Sequence, residues 1–277
     1  MDPTVERLDR STPDAPPDSL ALHVYPAADD APALAVLFPA MGVPARYYRT
    51  FAAALTAAGL AVVVADLRGT GESTPAPTRS ARYGLADLVD DVDAVLTHLK
   101  PLRAGRRTIL IGHSLGGQAC VLHLSRRRED VDGLVLLAVG VPYWRRYPSG
   151  QPARVLLQTQ TLGVVSALLR VWPGWGFGGR QARGVIRDWA FTARTGRYPE
   201  PFEAALGTIA APVFAVDMAG DRFTPPGTVT HLLEKLPAAD VTRTTYAPPD
   251  QAIDHFRWAK HGTALARDIS AWTGRLP

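Results

Sequence analysis

The stretch RTILIGHSLGGQACVLHL, residues 107–124, passes from an apolar run through a glycine-flanked serine into a helix-favouring segment. The apolar run at 108–112 is typical of a buried strand. Between strand and helix, Ser114 would be raised on a sharp turn with its hydroxyl pointing away from the sheet. Flanking glycines are needed because larger side chains there would collide with the strand and helix. The pattern predicts a nucleophilic serine; the alternative interpretation is a tight turn that contains a serine.

The segments around this turn alternate between strand and helix patterns. Such alternation indicates βαβ units, and continuous apolar strands indicate a sheet covered on both faces. The predicted fold class is therefore α/β, with a mostly parallel sheet flanked by helices. Strands are predicted at residues 21–26, 33–38, 61–67, 108–112, 132–140, 211–217 and near 241–247. Helices are predicted at residues 46–60, 85–100, 115–127, near 228–236 and at about 257–272.

The chain is expected to have three parts. Residues 1–19, rich in Pro and Asp, are predicted to be a flexible leader, and residues 20–141 and 207–277 to form the α/β core. Residues 142–206 interrupt the alternation, have helical character and hold four of the six tryptophans. Because ligands of open α/β sheets bind beyond the carboxyl ends of the strands, this insertion is interpreted as a cap there. The alternative is a helical layer without contact to any site.

Composition narrows the possible partners and location. The chain has 30 basic residues and a net charge of +4, with basic clusters at 126–128 and 145–146. No nucleic-acid-reading motif accompanies them, so no nucleic-acid partner is expected. The single cysteine, Cys120, excludes an internal disulfide. The first twenty residues lack an apolar core typical of a secretory signal, and the hydrophobic window 155–172 is interrupted by polar residues. We expect a cytoplasmic protein without an integral membrane segment.

A serine hydroxyl needs a histidine base, and the base needs an orienting carboxylate. In a sheet of this kind the acid and then the histidine follow the serine along the chain. Asp221 lies four residues past a predicted strand, and His255 lies in a loop before the last predicted helix. The predicted catalytic residues are therefore Ser114, Asp221 and His255. Asp217, nearer the strand, is the alternative acid; the other late histidine, His261, falls inside the predicted helix.

Backbone amides are the predicted oxyanion donors. The start of the helix after the serine offers the N–H of Leu115. The second donor should come from the loop after an early strand, at residues 38–43, where Met41 is chosen to within one position. Aromatic candidates for substrate contact are Tyr47, Tyr143 and Trp144, and the Trp-rich insertion favours an apolar acyl group or an aromatic substrate. No metal ligand set is predicted.

The motif Gly-His-Ser-Leu-Gly-Gly at 112–117, the turn Asp-Leu-Arg-Gly-Thr-Gly-Glu-Ser at 66–73 and the late acid and histidine together resemble the α/β-hydrolase superfamily. The resemblance covers nearly the whole chain after residue 19. It implies an eight-stranded, mostly parallel sheet with a helical cap, and no metal or organic cofactor. The oxyanion loop, Pro-Ala-Met-Gly at 39–42, departs from the His-Gly of many members. A serine nucleophile argues against members that use aspartate.

These observations lead to one main functional hypothesis with two alternatives. The main hypothesis is a serine hydrolase that cleaves a small-molecule carboxylic ester or thioester through an acyl-enzyme on Ser114. In the first alternative, an alcohol or amine intercepts the acyl-enzyme, which gives an acyltransferase or a cyclising tailoring enzyme. In the second, the fold only binds a small molecule, since fold alone does not imply function.

Overall fold

The computed structural model describes residues 2–11, 18–26, 28, 30–127 and 131–277. Eight strands form one sheet in the order β1-β2-β4-β3-β5-β6-β9-β10, and β7 and β8 form a small separate ribbon. The strands are β1 (Thr4–Asp9), β2 (Ser19–Tyr25), β3 (Ala33–Phe38), β4 (Ala61–Ala65), β5 (Arg107–His113), β6 (Gly133–Leu137), β7 (Val171–Trp172), β8 (Gln181–Ala182), β9 (Val213–Met218) and β10 (Val241–Tyr246).

Helices lie on both sides of this sheet and in the insertion. They are α1 (Arg49–Ala57), α2 (Leu85–His98), α3 (Lys100–Arg103), α4 (Leu115–Arg126), α5 (Pro152–Leu169), α6 (Arg183–Thr195), α7 (Phe202–Ala205), α8 (Pro226–Leu233) and α9 (Thr263–Thr273). Short 3₁₀ turns occur at Ala45–Tyr48, Trp144–Arg146, Leu206–Thr208 and Arg257–Lys260. Within the described residues, no helix combines the length and apolarity needed to cross a bilayer.

Most of the sheet is parallel. Strands β4, β3, β5, β6, β9 and β10 run parallel to one another, whereas β2 pairs antiparallel with both β1 and β4. This confirms the predicted fold class, including the eight strands. Since parallel strands end at the same edge of a sheet, the loops after β3, β5, β6, β9 and β10 lie along one edge. Strand β5 is central, between β3 and β6.

Alternating strand residues supply two separate cores. In β3, Leu34, Val36 and Phe38 belong to the core shared with α2 and α4. Ala33, Ala35 and Leu37 belong to the core shared with α1 and α9. Successive side chains of a strand point to opposite faces, so a fully apolar strand serves both cores. This is why the buried strands appear as continuous apolar runs in the sequence.

The predicted flexible leader over residues 1–19 is wrong for Thr4–Asp9, which form β1 at the edge of the sheet. This strand is polar and largely exposed, and its pairing with β2 decides its conformation. Residues 12–17 of the predicted leader lie outside the described residues. The predicted last helix is also divided: a 3₁₀ turn at Arg257–Lys260 is separated from α9 by Gly262, where a Cβ would lie 2.6 Å from the Phe51 ring.

The motif at 66–73 forms a structural turn after β4. The carboxylate of Asp66 accepts hydrogen bonds from the N–H groups of Ala45 (2.6 Å) and Glu72 (2.8 Å). Gly71 has a φ of +61°, and a Cβ there would lie 2.2 Å from the Asp66 carboxylate. Asp66 thus ties the end of β4 to the segment that enters α1, which follows the predicted oxyanion loop.

Candidate active site

Ser114 lies at the turn between β5 and α4, at the centre of the sheet edge. Its φ of +51° and ψ of −117° place it in a region that a residue with a side chain rarely adopts. Such strain persists only where the surroundings impose it, and it often marks functional positions. The chain on either side is held by two bonds, from the Ser114 N–H to the Leu137 carbonyl (3.2 Å) and from the Gln118 N–H to the Ser114 carbonyl (3.0 Å).

Glycines make this turn possible by removing side chains where two elements cross. A Cβ on Gly112 would lie 2.1 Å from the Cα of Gly117. A Cβ on Gly116 would lie 2.2 Å from the carbonyl oxygen of Phe38, at the end of β3. Helix α4 therefore approaches both β5 and the end of β3 at backbone-to-backbone distance. The structure thus agrees with the reason given for these glycines in the sequence analysis: larger side chains would collide with neighbouring elements.

Asp221 and His255 are joined by a hydrogen bond at the same edge of the sheet. The Asp221 Oδ2 atom lies 2.7 Å from Nδ1 of His255, and both residues are buried. Asp221 follows β9, and His255 follows β10, so the two adjacent parallel strands bring them together. Asp217, the alternative acid, instead accepts a bond from the Arg243 guanidinium at 2.8 Å.

The Asp221 carboxylate is held in its ionised form by four donors. Its Oδ1 accepts from the N–H groups of Phe223 (2.7 Å) and Thr224 (3.0 Å), and its Oδ2 accepts from the Thr224 hydroxyl (2.5 Å) as well as facing His255. Burial alone would raise the pKa of Asp221, but the bonds from His255 and Thr224 outweigh it, and the pKa falls below its usual value. An ionised carboxylate at Nδ1 leaves Nε2 of His255 as the ring nitrogen available to accept a proton.

The loop after β3 carries the Met41 N–H, which was predicted from the sequence as an oxyanion donor. Among the described residues, neither the Met41 N–H nor the Leu115 N–H has a hydrogen-bond partner. Ala40 is different, because its N–H donates to the Tyr48 hydroxyl at 3.0 Å. Leu115 opens α4, and the close packing of Gly116 on the end of β3 sets the two loops side by side.

Tyr48 and His113 form a buried pair behind these two loops. The Tyr48 hydroxyl lies 2.6 Å from Nδ1 of His113, the residue before Ser114. Burial raises the pKa of Tyr48, which keeps its hydroxyl proton available for His113. Burial lowers the pKa of His113 well below its usual value, and repulsion from the protonated form of His255, whose ring centroid lies 4.8 Å away, lowers it further. His113 is therefore a neutral ring that packs against His255.

Ser114 and His255 line one cavity of about 870 Å³. The core side of its wall includes Met41 and Thr224, and the insertion, residues 142–206, supplies the opposite side from the start of α5, from a glycine-rich loop and from α6. Aromatic rings line the space between them. Phe223 packs against His255 (5.2 Å between ring centroids) and against Phe177 (6.0 Å), and Phe177 packs against Trp189 (5.2 Å).

The glycine-rich loop between β7 and β8 lies directly on the loop after β3. A Cβ on Gly178 would lie 2.6 Å from the Sδ atom of Met41, and a Cβ on Gly42 would lie 2.2 Å from the Gly178 carbonyl oxygen. Both glycines have positive φ, +65° for Gly178 and +71° for Gly42. The insertion therefore contacts the same segment that carries the free Met41 N–H.

The aromatic residues chosen from the sequence as substrate contacts lie elsewhere, which corrects that choice. Tyr47, Tyr143 and Trp144 are absent from the described residues that line the cavity. The Tyr47 hydroxyl donates to the Phe256 carbonyl (3.0 Å), the Tyr143 ring packs on His231, and the Trp144 indole N–H donates to the Arg194 carbonyl (3.2 Å).

The aromatic residues that do line the cavity, and that sequence reasoning missed, are Tyr147, Phe177, Trp189, Phe223 and Phe256. A signal for two of them was present in the sequence. Phe223 lies two residues after the predicted acid, and Phe256 follows the predicted histidine, so both belong to loops already expected at the site. The three in the insertion carry no such signal, because their positions depend on how the insertion folds over the sheet.

Other titratable groups near the site do not form a further centre. Within the described part of the chain, no group of three or more His, Cys, Asp or Glu side chains is arranged to hold a metal ion. Cys120 lies inside α4 with no exposed surface, and burial raises the pKa of its thiol. A buried protonated thiol is a poor nucleophile, so Cys120 fills core space on α4.

An eight-stranded sheet of this order, with a strained serine turn after the central strand and an acid–histidine pair after later strands, defines the α/β-hydrolase superfamily. More specifically, the chain belongs to the hydrolase family described as "Serine aminopeptidase, S33", whose family model matches residues 29–200. Among curated proteins, none matches the chain by sequence.

Solved structures of hydrolases share this fold at low sequence identity. A Paleococcus ferrophilus monoacylglycerol lipase is 19% identical, with 92% of this chain and 98% of that chain covered and a TM-score of 0.65. An esterase from Thermogutta terrifontis is 15% identical, with 98% of each chain covered and a TM-score of 0.65. The thioesterase domain from the curacin biosynthetic pathway is 15% identical, with 97% and 99% covered and a TM-score of 0.61.

Proposed function

We propose that this protein is a serine hydrolase that cleaves a carboxylic ester or thioester through an acyl-enzyme on Ser114. The observation that carries the proposal is the Asp221–His255 hydrogen bond of 2.7 Å in a site where Ser114 and His255 line the same cavity. Ser114, Asp221 and His255, which are distant in sequence, each follow a strand that ends at the same edge of the sheet, and this placement supports the proposal. Their order along the chain, serine then acid then histidine, is the order that this fold uses for acyl transfer.

In the proposed reaction, the Ser114 oxygen attacks the acyl carbon while Nε2 of His255 takes the hydroxyl proton. The same nitrogen then gives this proton to the departing alcohol or thiol, and the acyl group stays on Ser114. Water attacks the acyl-enzyme with His255 again as base, which releases the carboxylic acid and restores the serine. Asp221 keeps its negative charge throughout and stabilises the imidazolium that forms in each step.

The negative oxygen of the tetrahedral intermediate is assigned to the N–H groups of Met41 and Leu115. Support comes from their lack of a hydrogen-bond partner among the described residues, whereas the Ala40 N–H is occupied by Tyr48. Tyr48 would thereby fix the peptide before Met41 and prevent the loop from turning the wrong N–H to the site. Preorganised donors of this kind are each worth about 2.7–4 kcal/mol of transition-state stabilisation.

The insertion, residues 142–206, is assigned the role of a cap that shapes the substrate cavity. Two observations support this role: the insertion supplies Phe177 and Trp189 to the aromatic wall, and it packs on the loop of Met41. An apolar or aromatic portion of the substrate would cover Phe223, a large ring that is 46% exposed. A peptide substrate with a free amino terminus fits poorly, since no Asp or Glu is among the described residues that line the cavity.

The test uses a fluorophosphonate probe and p-nitrophenyl esters on the wild type and the Ser114→Ala variant. Ser125→Ala is the matched control, because Ser125 lies on the same helix and its hydroxyl donates to the Leu122 carbonyl. We expect Ser114→Ala to lose labelling and about 10⁴-fold or more in kcat, with the control unaffected. Labelling that persists without the Ser114 hydroxyl would refute the assignment. Product analysis with added alcohols or amines identifies an acyltransferase if the ester or amide exceeds the acid.

A further inference from the structure

The charges on the cavity wall are all of one sign. Among the described residues that line the cavity, Arg154 and Arg222 carry the only permanent charges, and no Asp or Glu accompanies them. Asp221 lies behind His255, buried and occupied by its four donors. Neither guanidinium has a carboxylate partner among the described residues, and the first turn of α5, which holds Arg154, contains no acid.

Outside the cavity, many arginines on the protein surface are paired with a carboxylate. Arg146 pairs with Glu234 at 2.7 Å, and Arg243 pairs with Asp217 at 2.8 Å. Unpaired arginines do occur on exposed positions, Arg170 among them. Arg154 and Arg222 are exposed as well, but unlike Arg170 they line the cavity, which is concave and partly apolar. A cleft lined by charges of one sign focuses their field and raises the local concentration of oppositely charged ligands.

The two guanidiniums come from segments that are bonded together. The Tyr147 hydroxyl donates to the Phe223 carbonyl at 2.7 Å, which joins the chain leading into α5 to the loop that follows Asp221. The Phe223 ring also packs on His255 at 5.2 Å. In the proposed reaction His255 protonates the leaving group, so this side of the cavity receives the departing alcohol or thiol.

We propose that the substrate of this hydrolase carries an anionic group, phosphate or carboxylate, in its leaving portion, and that Arg154 and Arg222 bind it. This inference rests on the proposed function for its orientation. The acyl portion would then occupy the aromatic wall of Phe177 and Trp189. Guanidinium groups suit both anions, since their N–H groups pair with two oxygens at once.

The experiment measures thiol release from matched thioesters with the same hexanoyl group. One pair, S-hexanoyl-pantetheine and S-hexanoyl-4′-phosphopantetheine, differs only by a phosphate in the leaving portion. A second pair, the thioesters of methyl 3-mercaptopropionate and of 3-mercaptopropionate, differs only by a carboxylate there. A third comparison places a carboxylate in the acyl portion, as adipoyl-pantetheine against hexanoyl-pantetheine. The first two pairs distinguish phosphate from carboxylate, and the third tests the orientation.

For the wild type we expect kcat/KM to be about tenfold higher for at least one anionic leaving portion than for its neutral partner, with no gain from an anionic acyl portion. Arg154→Gln and Arg222→Gln should each reduce this ratio, and the double variant should bring it close to one. Arg170→Gln, at the residue that follows the end of α5 and away from the described cavity wall, is the control and should keep the ratio. Salt of about 0.5 M should also reduce the ratio, because it screens exposed charges.

A ratio near one in the wild type, a ratio that survives in the double variant, or a preference for the anionic acyl portion would overturn the inference. Binding of the thiols alone separates it from the proposed function. Calorimetry on the Ser114→Ala variant should show that 4′-phosphopantetheine or 3-mercaptopropionate binds more tightly than its neutral partner, and that the double arginine variant loses the difference. If esters are not hydrolysed but this difference is present, the proposed function fails and the anion site stands. If esters are hydrolysed but the difference in thiol binding is absent, the proposed function stands and the anion site is ruled out.

Discussion

The serine turn and the insertion line the same cavity, but they hold their residues in place by different means. At the turn, backbone contacts leave no space: Gly112 and Gly116 lie where any Cβ would overlap main-chain atoms. On α5 of the insertion, Leu157 and Leu168 are 71% and 77% exposed, and Arg154 has no ion-pair partner among the described residues. If the proposed function holds, the backbone fixes the position of the nucleophile, and the choice of substrate depends on side chains of the insertion that can change without disturbing the sheet.

A methyl group at the turn is expected to impair the fold itself. Gly116→Ala would place a Cβ 2.2 Å from the Phe38 carbonyl oxygen, and neither backbone can move without displacing α4 or β3. Overpacking of this kind should destabilise the fold by about 3 kcal/mol or more. The matched change in the insertion, Gly163→Ala, meets only the Ala190 Cβ at 3.2 Å within a helix.

Denaturant unfolding of both variants measures this difference. Gly163→Ala should change the unfolding free energy by no more than about 1 kcal/mol, because the gain in helix propensity offsets the tight contact. Equal destabilisation by the two substitutions would contradict the contrast between a rigid turn and an adaptable insertion.

The next effect concerns the acid. Asp221→Asn removes the carboxylate that fixes the His255 tautomer, and we expect kcat/KM for an ester to fall by about 10³–10⁴-fold. Asp217→Asn is the control, since Asp217 bonds to Arg243 rather than to the histidine. Steady-state kinetics on both variants decide which of the two sequence-derived candidates acts, and a larger loss at Asp217 would reverse the assignment.

The lowered pKa of Asp221 predicts how the free energy of unfolding changes with pH. The pKa of Asp221 is below its usual value in the folded state. Its contribution to the free energy of unfolding is therefore complete above the unfolded pKa of about 3.9. This contribution is lost as the pH falls through the lower, folded pKa. The difference in unfolding free energy between wild type and Asp221→Asn should therefore shrink as the pH falls below about 4. A difference that is unchanged at lower pH would contradict the lowered pKa.

A smaller effect is expected behind the site. Tyr48→Phe removes the acceptor of the Ala40 N–H and the partner of His113. The Met41 N–H would then be less well positioned, and we expect kcat to fall by about tenfold with KM little changed, less than the loss of a whole oxyanion donor. Tyr198→Phe is the control, because the buried Tyr198 hydroxyl has no hydrogen-bond partner among the described residues. If both variants lose kcat equally, the effect is one of packing and the positioning role is wrong.

The smallest effect lies at the contact between the two regions. Gly178→Ala directs a Cβ to within 2.6 Å of the Met41 Sδ atom, a flexible side-chain end that can move. Gly176→Ala imposes similar backbone strain, with a φ of +69°, but its Cβ meets nothing within 4 Å. We expect kcat/KM of Gly178→Ala to be about threefold below that of Gly176→Ala, in line with a shift of well under 1 kcal/mol. Identical kinetics would mean that the insertion does not influence the Met41 loop.

Sequence periodicity predicted the fold best where a strand is buried on both faces. The run at 33–38 coincides with β3, because every residue of that strand is buried. Strand β1 was missed since its exposed, charged residues leave only pairing with β2 to define it. The pattern likewise predicted one last helix over about 257–272, although Gly262 interrupts it to make room for the Phe51 ring. Such tertiary contacts leave no local signature in the sequence.

The candidate site, too, could be predicted from the sequence only in part. Ser114, Asp221 and His255 could be proposed from the sequence because each follows a strand whose end lies at the same edge of the sheet. The hydrogen bond between Asp221 and His255 then distinguishes this acid from Asp217. The wall of the cavity could not be predicted, because the rings of the insertion depend on the path of a long connection between β6 and β9.

Cys120 allows the opening of α4, the helix that follows Ser114, to be measured separately from the rest of the protein. It is the chain's single thiol, and it is fully buried in the middle of α4, six residues after Ser114. A thiol-reactive dye can therefore reach it only when α4 leaves the sheet. The rate of dye capture in the native state would report how often α4, which bears the proposed oxyanion donor, opens, with no engineered label needed.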